Sequence, residues 1–210
     1  MSRIIAGELG GRRLRTPAGE HTRPTSDRVR EALFSRVESL LGGLDAVVVL
    51  DLYAGSGAVG LEAVSRGAAR ALLVECDRRA AAVVRDNISA LGVSAQARVV
   101  GDRVERLLSR PPAPAEQPAD LVFADPPYAV DHASLSGVLV AGAASGWFAA
   151  EALIVVERPT RGQAWAFPPG VRPEGNRRYG ETTLWYGRRD PSAQPAAPPP
   201  DHPADPAGHR

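Results

Sequence analysis

The sequence predicts an α/β protein in which helices cover both faces of a mostly parallel central sheet. Short apolar runs rich in Val, Leu and Ile recur through the middle of the chain, and segments with helical spacing of apolar residues separate them. These runs are continuously apolar rather than alternating, which is typical of parallel strands buried on both faces. The 210 residues, 44% of them apolar, suffice for one such domain with a buried core.

The N-terminal part is predicted to be a small β-hairpin followed by one long helix. Residues 3–15 contain the pair Gly10-Gly11, which is typical of a two-residue hairpin turn. Beyond the hairpin, apolar residues recur at helical spacing until Gly42 ends the pattern. We therefore expect a first unit over residues 1–44 that extends the main domain.

The main domain is predicted over residues 45–189, where strands and helices alternate. The predicted strands are 46–52, 71–75, 97–100, 121–124 and 152–157. The predicted helices are 59–65, 78–91, 102–108 and 132–144. Residues 163–187 lack a helical pattern and are expected to add antiparallel strands to the sheet. Residues 190–210 include seven Pro and no Ile, Leu, Val, Phe, Tyr or Trp, which predicts a disordered tail.

Composition limits the location of the protein and the kind of site that it carries. No apolar run approaches the ~20 residues that span a bilayer, and the first residues do not resemble a signal peptide. We therefore expect a cytoplasmic protein without a membrane partner. The single cysteine, Cys76, excludes an internal disulfide and a cysteine-rich metal site, so we predict no metal.

Charge is distributed unevenly along the chain although the net charge is only +1. The chain has Arg but no Lys. Residues 1–40 contain eight Arg and five acidic residues, and residues 158–189 contain seven Arg and two acidic residues. The middle, residues 41–157, has nine Arg against fourteen acids. Arg pairs with phosphates and stacks on bases, so the flanks indicate a polyanionic partner. The alternative is a solvated Arg-rich surface that follows from biased composition.

The segment VVVLDLYAGSGAVG joins a predicted strand to a predicted helix through a glycine-rich loop. Gly55, Gly57 and Gly60 fit the pattern G-x-G-x-x-G, and Glu75 follows Gly55 by 20 residues. The spacing alone fits a dinucleotide site with Glu75 on a ribose diol. Asp51, at the end of the strand, would repel a pyrophosphate but would attract the ammonium of S-adenosylmethionine, which carries no phosphate. The alternative is a tight turn in which Asp51 only caps the helix.

Two further acidic residues follow the next two predicted strands. Glu75 is placed to accept both ribose hydroxyls, and its alternative is a surface carboxylate at a strand end. Asp102 is placed to accept the adenine amino group, with the backbone of Arg103 nearby. Capping of the following helix explains Asp102 almost equally well.

The stretch ADPPYAV follows the predicted strand 121–124, and its prolines end that strand. The loop emerges at the same sheet edge as the glycine loop, where ligands of such sheets bind. Asp125 and the carbonyl of Pro126 can accept the two hydrogens of an exocyclic amino group, which aims its lone pair at a methyl donor. Pro127 stiffens the loop, and Tyr128 can stack on the base. The alternative is a proline-rich turn that caps the next helix.

The residues together resemble class I S-adenosylmethionine-dependent methyltransferases, Rossmann-like enzymes with an (Asp/Asn)-Pro-Pro-Tyr motif that methylate amino groups. The segments RIIAGELGGRRL, RPTSDRVREALF, DLYAGSGAVGLEAVSRGA and RRYGETTLWYG are similar to the RsmD family, and the resemblance covers residues 1–188. It implies methylation of the N2 amino group of a guanine in bacterial 16S rRNA. The implied partner is 16S rRNA in the small ribosomal subunit or an assembly intermediate, and a monomer suffices.

The resemblance also implies roles for individual residues. It places Asp51, Tyr53, Gly55, Gly57, Glu75, Asp102 and Arg103 at the cofactor and Asp125, Pro126, Pro127 and Tyr128 at the reaction. It places the RPT segment, Arg23 to Thr25, near the mouth of the active site. The residues expected to hold rRNA are Arg12, Arg13, Arg15, Arg23, Thr25, Arg28, Arg30, Arg177 and Arg178. For Arg28 and Arg30 the alternative is a solvated helix face.

Four other functions are alternatives to rRNA methylation. A DNA adenine-N6 methyltransferase uses the same loop chemistry but usually needs a target-recognition region, for which the chain has little room. A methyltransferase for protein glutamine fits the Arg flanks less well. A noncatalytic RNA chaperone leaves Asp125 and Tyr128 without a role. An NAD-dependent oxidoreductase requires Asp51 to face phosphate.

Overall fold

The computed structural model describes residues 2–17 and 27–192 and shows an α/β architecture. The strands in these ranges are β1 (Ser2–Arg3), β2 (Arg13–Leu14), β3 (Val48–Leu52), β4 (Arg70–Val74), β5 (Ala97–Val100), β6 (Ala119–Ala124), β7 (Phe148–Pro159), β8 (Val171–Tyr179) and β9 (Thr182–Arg189). The helices are α1 (Asp27–Leu41), α2 (Ala58–Ser65), α3 (Arg78–Leu91), α4 (Val104–Leu108) and α5 (His132–Ala144).

Seven strands form the central sheet, in the order β5-β4-β3-β6-β7-β9-β8. The first five strands are parallel, and β9 and β8 add an antiparallel edge next to β7. The predicted fold class, a mostly parallel sheet flanked by helices, is therefore confirmed. The strand order reverses between β3 and β6, so the loops that follow these two strands leave the sheet side by side, at the position where ligands bind in open α/β folds.

Apolar side chains pack on both faces of this sheet, as continuous apolar strands require. On one face, side chains from β3, β4, β6 and β7 pack against α1, α2 and α3. On the other face, the alternate side chains of the same strands pack against α4 and α5. The strand ends of β3, β4 and β6 are therefore held rigidly on both sides.

The N-terminal hairpin forms, but its turn differs from the predicted one. Ser2 pairs with Leu14 and Arg3 with Arg13, so nine residues separate the two strands instead of Gly10-Gly11 alone. The longer connection is closed by hydrogen bonds from the Gly11 amide to the Ile4 carbonyl and from the Ile4 amide to the Arg12 carbonyl, both 2.9 Å. The prediction of a two-residue turn at Gly10-Gly11 is therefore wrong: Gly11 already pairs with Ile4, and the chain turns before it, where the Gly10 amide donates to the Gly7 carbonyl at 3.1 Å.

A buried carboxylate fastens this arm to the main domain. Glu62 of α2 is completely buried and accepts the backbone N–H groups of Ile5 and Ala6 at 2.7 and 3.0 Å. Arg66 donates its Nε to Glu62 at 2.8 Å, and the Nε of Arg30 lies 3.7 Å from the same carboxylate. The carboxylate therefore joins α2 to the arm through backbone N–H groups and to α1 through Arg30.

The position of Arg30 corrects a prediction. Arg30 is 1% exposed, and its guanidinium donates to the hydroxyl of Ser2, the carbonyl of Arg3 and the carboxylate of Asp27. It is therefore neither part of a solvated helix face nor available to grip rRNA phosphates. Burial lowers the pKa of Arg30, and the Glu62 and Asp27 carboxylates oppose that effect.

Within residues 2–17 and 27–192, no helix combines the length and apolarity needed to cross a membrane.

Candidate active site

A cavity of about 1020 Å³ opens at the carboxyl ends of β3, β4 and β6. Among the described residues, the predicted site residues that line it are Asp51, Tyr53, Gly55, Glu75, Arg103, Asp125, Pro126, Pro127 and Tyr128. The structure thus brings the predicted cofactor loop and the predicted catalytic loop to one space. Their individual roles stay predictions.

The glycine loop takes a sharply bent path between β3 and α2. Tyr53 has a φ of 63°, unusual for a residue with a side chain, and Gly57 has a φ of 79°. A Cβ on Gly60 would lie 2.9 Å from the Leu73 side chain and 3.2 Å from Asp51 Oδ2. The glycines therefore let the loop and the first turn of α2 approach the sheet closely, which fixes the cavity floor. Gly57 lies against the Leu73 side chain of the sheet and does not line the cavity.

Asp51 lies at this floor with its side chain 1% exposed. Its Oδ2 accepts the backbone N–H of Gly60 at 2.9 Å, and the carboxylate keeps the capacity to accept further donors. Burial raises the pKa of Asp51 to about 7, the Gly60 hydrogen bond opposes the rise, and the Glu75 carboxylate adds to it. A cationic group brought next to Asp51 would offset this cost of ionisation, whereas a phosphate would increase it.

Glu75 follows β4 and holds the loop from the neighbouring strand. Its Oε2 accepts the Gly55 amide and its Oε1 accepts the Asp77 amide, both at 2.8 Å. Each carboxylate oxygen retains a second lone pair, so the side chain can also accept the two hydroxyls of a ribose. Glu75 is half-buried and supports the glycine loop, so it is more than a surface carboxylate at a strand end.

Asp102 follows β5 but does not line the cavity. Its carboxylate accepts the Arg103 amide at 2.9 Å and pairs with Arg110 at 3.0 Å. The helix begins later than predicted, with Arg103 at the N-cap of α4, so Asp102 is not its cap residue. If Asp102 accepted the adenine amino group, its carboxylate would bind that group and the Arg110 guanidinium at the same time. Arg103 itself faces the cavity.

The DPPY loop leaves β6 next to β3. Asp51 pairs with Phe123, two residues before Asp125, so both carboxylates project from the same face of adjacent strands. Pro126 is buried, whereas Tyr128 is 74% exposed at the cavity mouth. A turn closed by the Val130 amide on the Pro127 carbonyl, at 2.9 Å, shapes the loop. An exposed aromatic ring held by a rigid loop can receive a flat ligand.

Asp125 is exposed to solvent where it lines the cavity, but the surrounding protein still desolvates its carboxylate. Desolvation raises the pKa of Asp125 well above its usual range, and the Glu157 and Asp51 carboxylates add to the rise. Arg158 opposes it. Asp125 is therefore a more basic carboxylate than an ordinary surface aspartate.

The cavity residues that were not predicted from the sequence include Glu157 and Arg158 near the end of β7, and Glu105 on α4. Glu157 is 8% exposed, and Glu105 accepts the Tyr53 hydroxyl at 3.4 Å. Arg158, also 8% exposed, donates its Nη2 to the Val130 carbonyl at 3.0 Å and so fixes the end of the DPPY loop. The sequence did contain a signal for Glu157, because it is an acidic residue at the carboxyl end of a predicted strand, as Asp51 is.

The arm reaches the cavity through Thr16 and Pro17. Just before them, the Arg15 amide donates to Asn87 Oδ1 at 2.8 Å, and Asn87 Nδ2 donates to the Arg15 and Ser56 carbonyls, both at 2.9 Å. Asn87 of α3 therefore joins the arm to the glycine loop.

Replacing this link should destabilise the protein. We expect Asn87→Ala to lower the free energy of unfolding by about 1–3 kcal/mol, because the partly buried hydrogen bonds to the Arg15 amide and carbonyl and to the Ser56 carbonyl are lost. Urea unfolding measures the change. Asn87→Asp, which keeps the acceptor and removes the donor, should lie between the alanine variant and the unchanged protein, and equal stability of all three would contradict the link.

Of the predicted RNA-binding arginines that the structure describes, the buried Arg30 lines the cavity and the others do not. Arg12 donates to the Ala90 carbonyl at 2.7 Å and Arg15 pairs with Asp86 at 3.0 Å, yet both remain exposed. Arg13, Arg28, Arg177 and Arg178 are exposed as well. Arg23 and Thr25 lie outside the described residues. These exposed arginines are accessible to a polyanion, and their predicted binding of rRNA phosphates stays a prediction.

No cluster of His, Cys, Asp and Glu with the arrangement of a metal site occurs in the part of the chain that the structure describes.

Known proteins with similar sequences include rRNA methyltransferases. Residues 2–188 match a family model described as conserved hypothetical protein 95. The chain is 41% identical over 155 residues to ribosomal RNA small subunit methyltransferase D of Escherichia coli (strain K12), which covers 74% of this chain and 73% of that protein. It is 38% identical over 126 residues to the putative rRNA methyltransferase YlbH of Bacillus subtilis, covering 60% and 66%.

The fold is similar to that of a solved methyltransferase. The putative methyltransferase yhhF from Escherichia coli superposes with a TM-score of 0.77 at 35% identity, covering 92% of this chain and 99% of that structure.

Proposed function

The chain belongs to the RsmD family of methyltransferases, and from this premise we propose that it methylates the N2 amino group of a guanine in 16S rRNA of the small ribosomal subunit, with S-adenosylmethionine as donor. The observation that carries the proposal is the placement of Asp51 and Asp125 in one cavity, on the same face of adjacent strands and two residues apart in register. One carboxylate suits a cationic donor and the other suits an amino group.

The cavity residues fit this donor. Asp51 provides a buried carboxylate for its ammonium, and Glu75 provides acceptors for its ribose. When bound, S-adenosylmethionine supplies a methyl group on a sulfonium, which the N2 lone pair takes as the carbon–sulfur bond breaks.

The DPPY loop would prepare the amino group. The Asp125 carboxylate and the Pro126 carbonyl accept its two hydrogens, which turns the lone pair away from the ring and toward the methyl group. After transfer the nitrogen carries a positive charge and releases one proton. Asp125 can take that proton because desolvation inside the cavity and the neighbouring carboxylates raise its pKa.

The exposed arginines provide a surface for the rRNA backbone. Arg12, Arg13 and Arg28 lie on the arm and α1, and Arg177 and Arg178 lie on β8. We propose that they bind phosphates around the target guanine, which leaves its helix to reach Tyr128.

Methyl transfer from labelled S-adenosylmethionine tests the proposal. The substrates are small ribosomal subunits from a strain lacking this protein, naked rRNA and duplex DNA, with nucleoside analysis of the product. Label in N2-methylguanosine of rRNA supports the proposal and identifies the assembly state that is recognised. Label only in N6-methyladenine of DNA would contradict it.

Removing the exposed ring should weaken substrate binding. We expect Tyr128→Ala to raise KM for the RNA substrate by about 5- to 150-fold, the equivalent of ~1–3 kcal/mol of stacking. The melting temperature should not change, because the ring is 74% exposed. Tyr128→Phe is the matched control and should keep most of the affinity, and a Phe variant as weak as the Ala variant would assign the effect to the hydroxyl.

A further inference from the structure

Glu157 lies beside Asp125 on the neighbouring strand. Val156 of β7 pairs with Ala124 of β6, so the next residue of each strand stands at the same level. Adjacent strands lie about 4.8 Å apart, which brings two carboxylates to one wall of the cavity. Both residues line that cavity, and Glu157 is 8% exposed.

Two carboxylates so close are costly in a partly desolvated space, and the charge of Glu157 contributes to the raised pKa of Asp125. The pair is best satisfied by a ligand that offers several N–H donors in a row. A carboxylate accepts hydrogen bonds and donates none, so an edge with an unprotonated ring nitrogen at this position is repelled.

Guanine has the required edge, since its N1–H and N2 amino group stand next to each other. Adenine places an unprotonated N1 next to its amino group. We propose that Glu157 accepts the N1–H of the target guanine while Asp125 holds the N2 amino group, so that Glu157 selects guanine over adenine. The inference rests on the proposed function and names the residue that determines its base specificity.

The test compares guanine with 2-aminopurine at the methylated position of the RNA substrate. 2-Aminopurine keeps the amino group at C2, but its N1 carries no hydrogen. The unchanged protein should methylate guanine and strongly disfavour 2-aminopurine. Glu157→Gln offers an amide that can donate to an unprotonated N1, so the ratio of kcat/KM for guanine to that for 2-aminopurine should fall by about tenfold or more.

Two variants keep the outcome interpretable. Glu151→Gln changes an exposed glutamate on the same strand and should leave the ratio unchanged. Glu157→Asp keeps the charge on a shorter side chain, and it should lose rate while retaining the preference for guanine. Cofactor affinity measured by calorimetry verifies that each variant is folded.

The results separate the two levels of the proposal. A base ratio that stays the same in Glu157→Gln, in a protein that methylates guanine N2, would overturn the role of Glu157 alone. Should Glu157→Gln not fold, loss of the guanine preference in Glu157→Asp would overturn it instead. Failure of the unchanged protein to methylate guanine N2 in rRNA would contradict the proposed function itself.

Discussion

Asp125→Ala should lower kcat by about 10³-fold while the Kd for S-adenosylmethionine changes by less than about threefold. The carboxylate stands at the end of β6 and faces the cavity, whereas the candidate cofactor contacts Asp51 and Glu75 come from β3 and β4. The variant therefore removes the acceptor of the amino hydrogens and leaves the proposed cofactor contacts in place. Single-turnover methyl transfer and calorimetry measure the two quantities.

Asp125→Asn provides the matched control. Its amide oxygen can still accept one hydrogen of the amino group, but it carries no charge and takes up no proton. We expect its rate between those of the unchanged protein and the alanine variant. A large loss of cofactor affinity in either variant would move Asp125 from the substrate to the cofactor, which would contradict the proposed mechanism.

The stability of these variants gives an independent check. A raised pKa means that the ionised carboxylate is less favourable in the folded protein than in the unfolded chain. Both variants should therefore have a higher melting temperature than the unchanged protein at pH 8. Activity and stability then change in opposite directions, as expected for a functional residue rather than a structural one.

The sheet and the position of the cavity were predictable because they depend on local patterns. Continuous apolar runs identify buried parallel strands, and residues that directly follow such strands must meet at one edge. Asp51, Glu75 and Asp125 all follow or end an apolar run, so their convergence required no long-range information. The same rule, applied to β7, would have included Glu157.

Pairings between distant segments were not predictable. Arg30 occupies a helical position that fits a solvated face, and only the fold brings it to Glu62 and to the backbone of the arm. Asp102 has the sequence context of a ligand or a cap, yet Arg110 reaches it from the far end of α4. One Arg is as suitable as another for such contacts, so the sequence does not reveal which arginines serve the fold and which face solvent.

Asp51→Asn should weaken the binding of S-adenosylmethionine by about 10²-fold at pH 7.5, because a buried carboxylate opposite an ammonium contributes far more than an exposed one. Asparagine has nearly the same size and can still accept the Gly60 amide, so the glycine loop should keep its shape. The matched control is Asp120→Asn at the other end of the sheet, where Asp120 accepts the Val48 amide at 2.9 Å. It should leave cofactor affinity unchanged, and an equal loss in both variants would contradict the ammonium contact.

The pH dependence distinguishes charge from shape at this site. The pKa of Asp51 in the free protein is raised to about 7, so the carboxylate that attracts the ammonium is increasingly protonated below pH 7. Cofactor affinity of the unchanged protein should fall by up to about tenfold per pH unit between pH 7 and pH 5. Asp51→Asn should show a much flatter profile over that range. A parallel fall in both proteins would assign the titration to another group, such as Asp125.

The same shift makes the free protein less stable as the pH rises. Because folding raises the pKa of Asp51 from 3.8 to about 7, its contribution to stability is fully present below the unfolded value and is lost as the pH rises through about 7. The melting temperature of the free protein should therefore fall between pH 5 and pH 8, and by less in Asp51→Asn. At one fixed cofactor concentration, the melting temperature at pH 8 should rise more in the unchanged protein than in the variant, since only the carboxylate gains a partner of opposite charge.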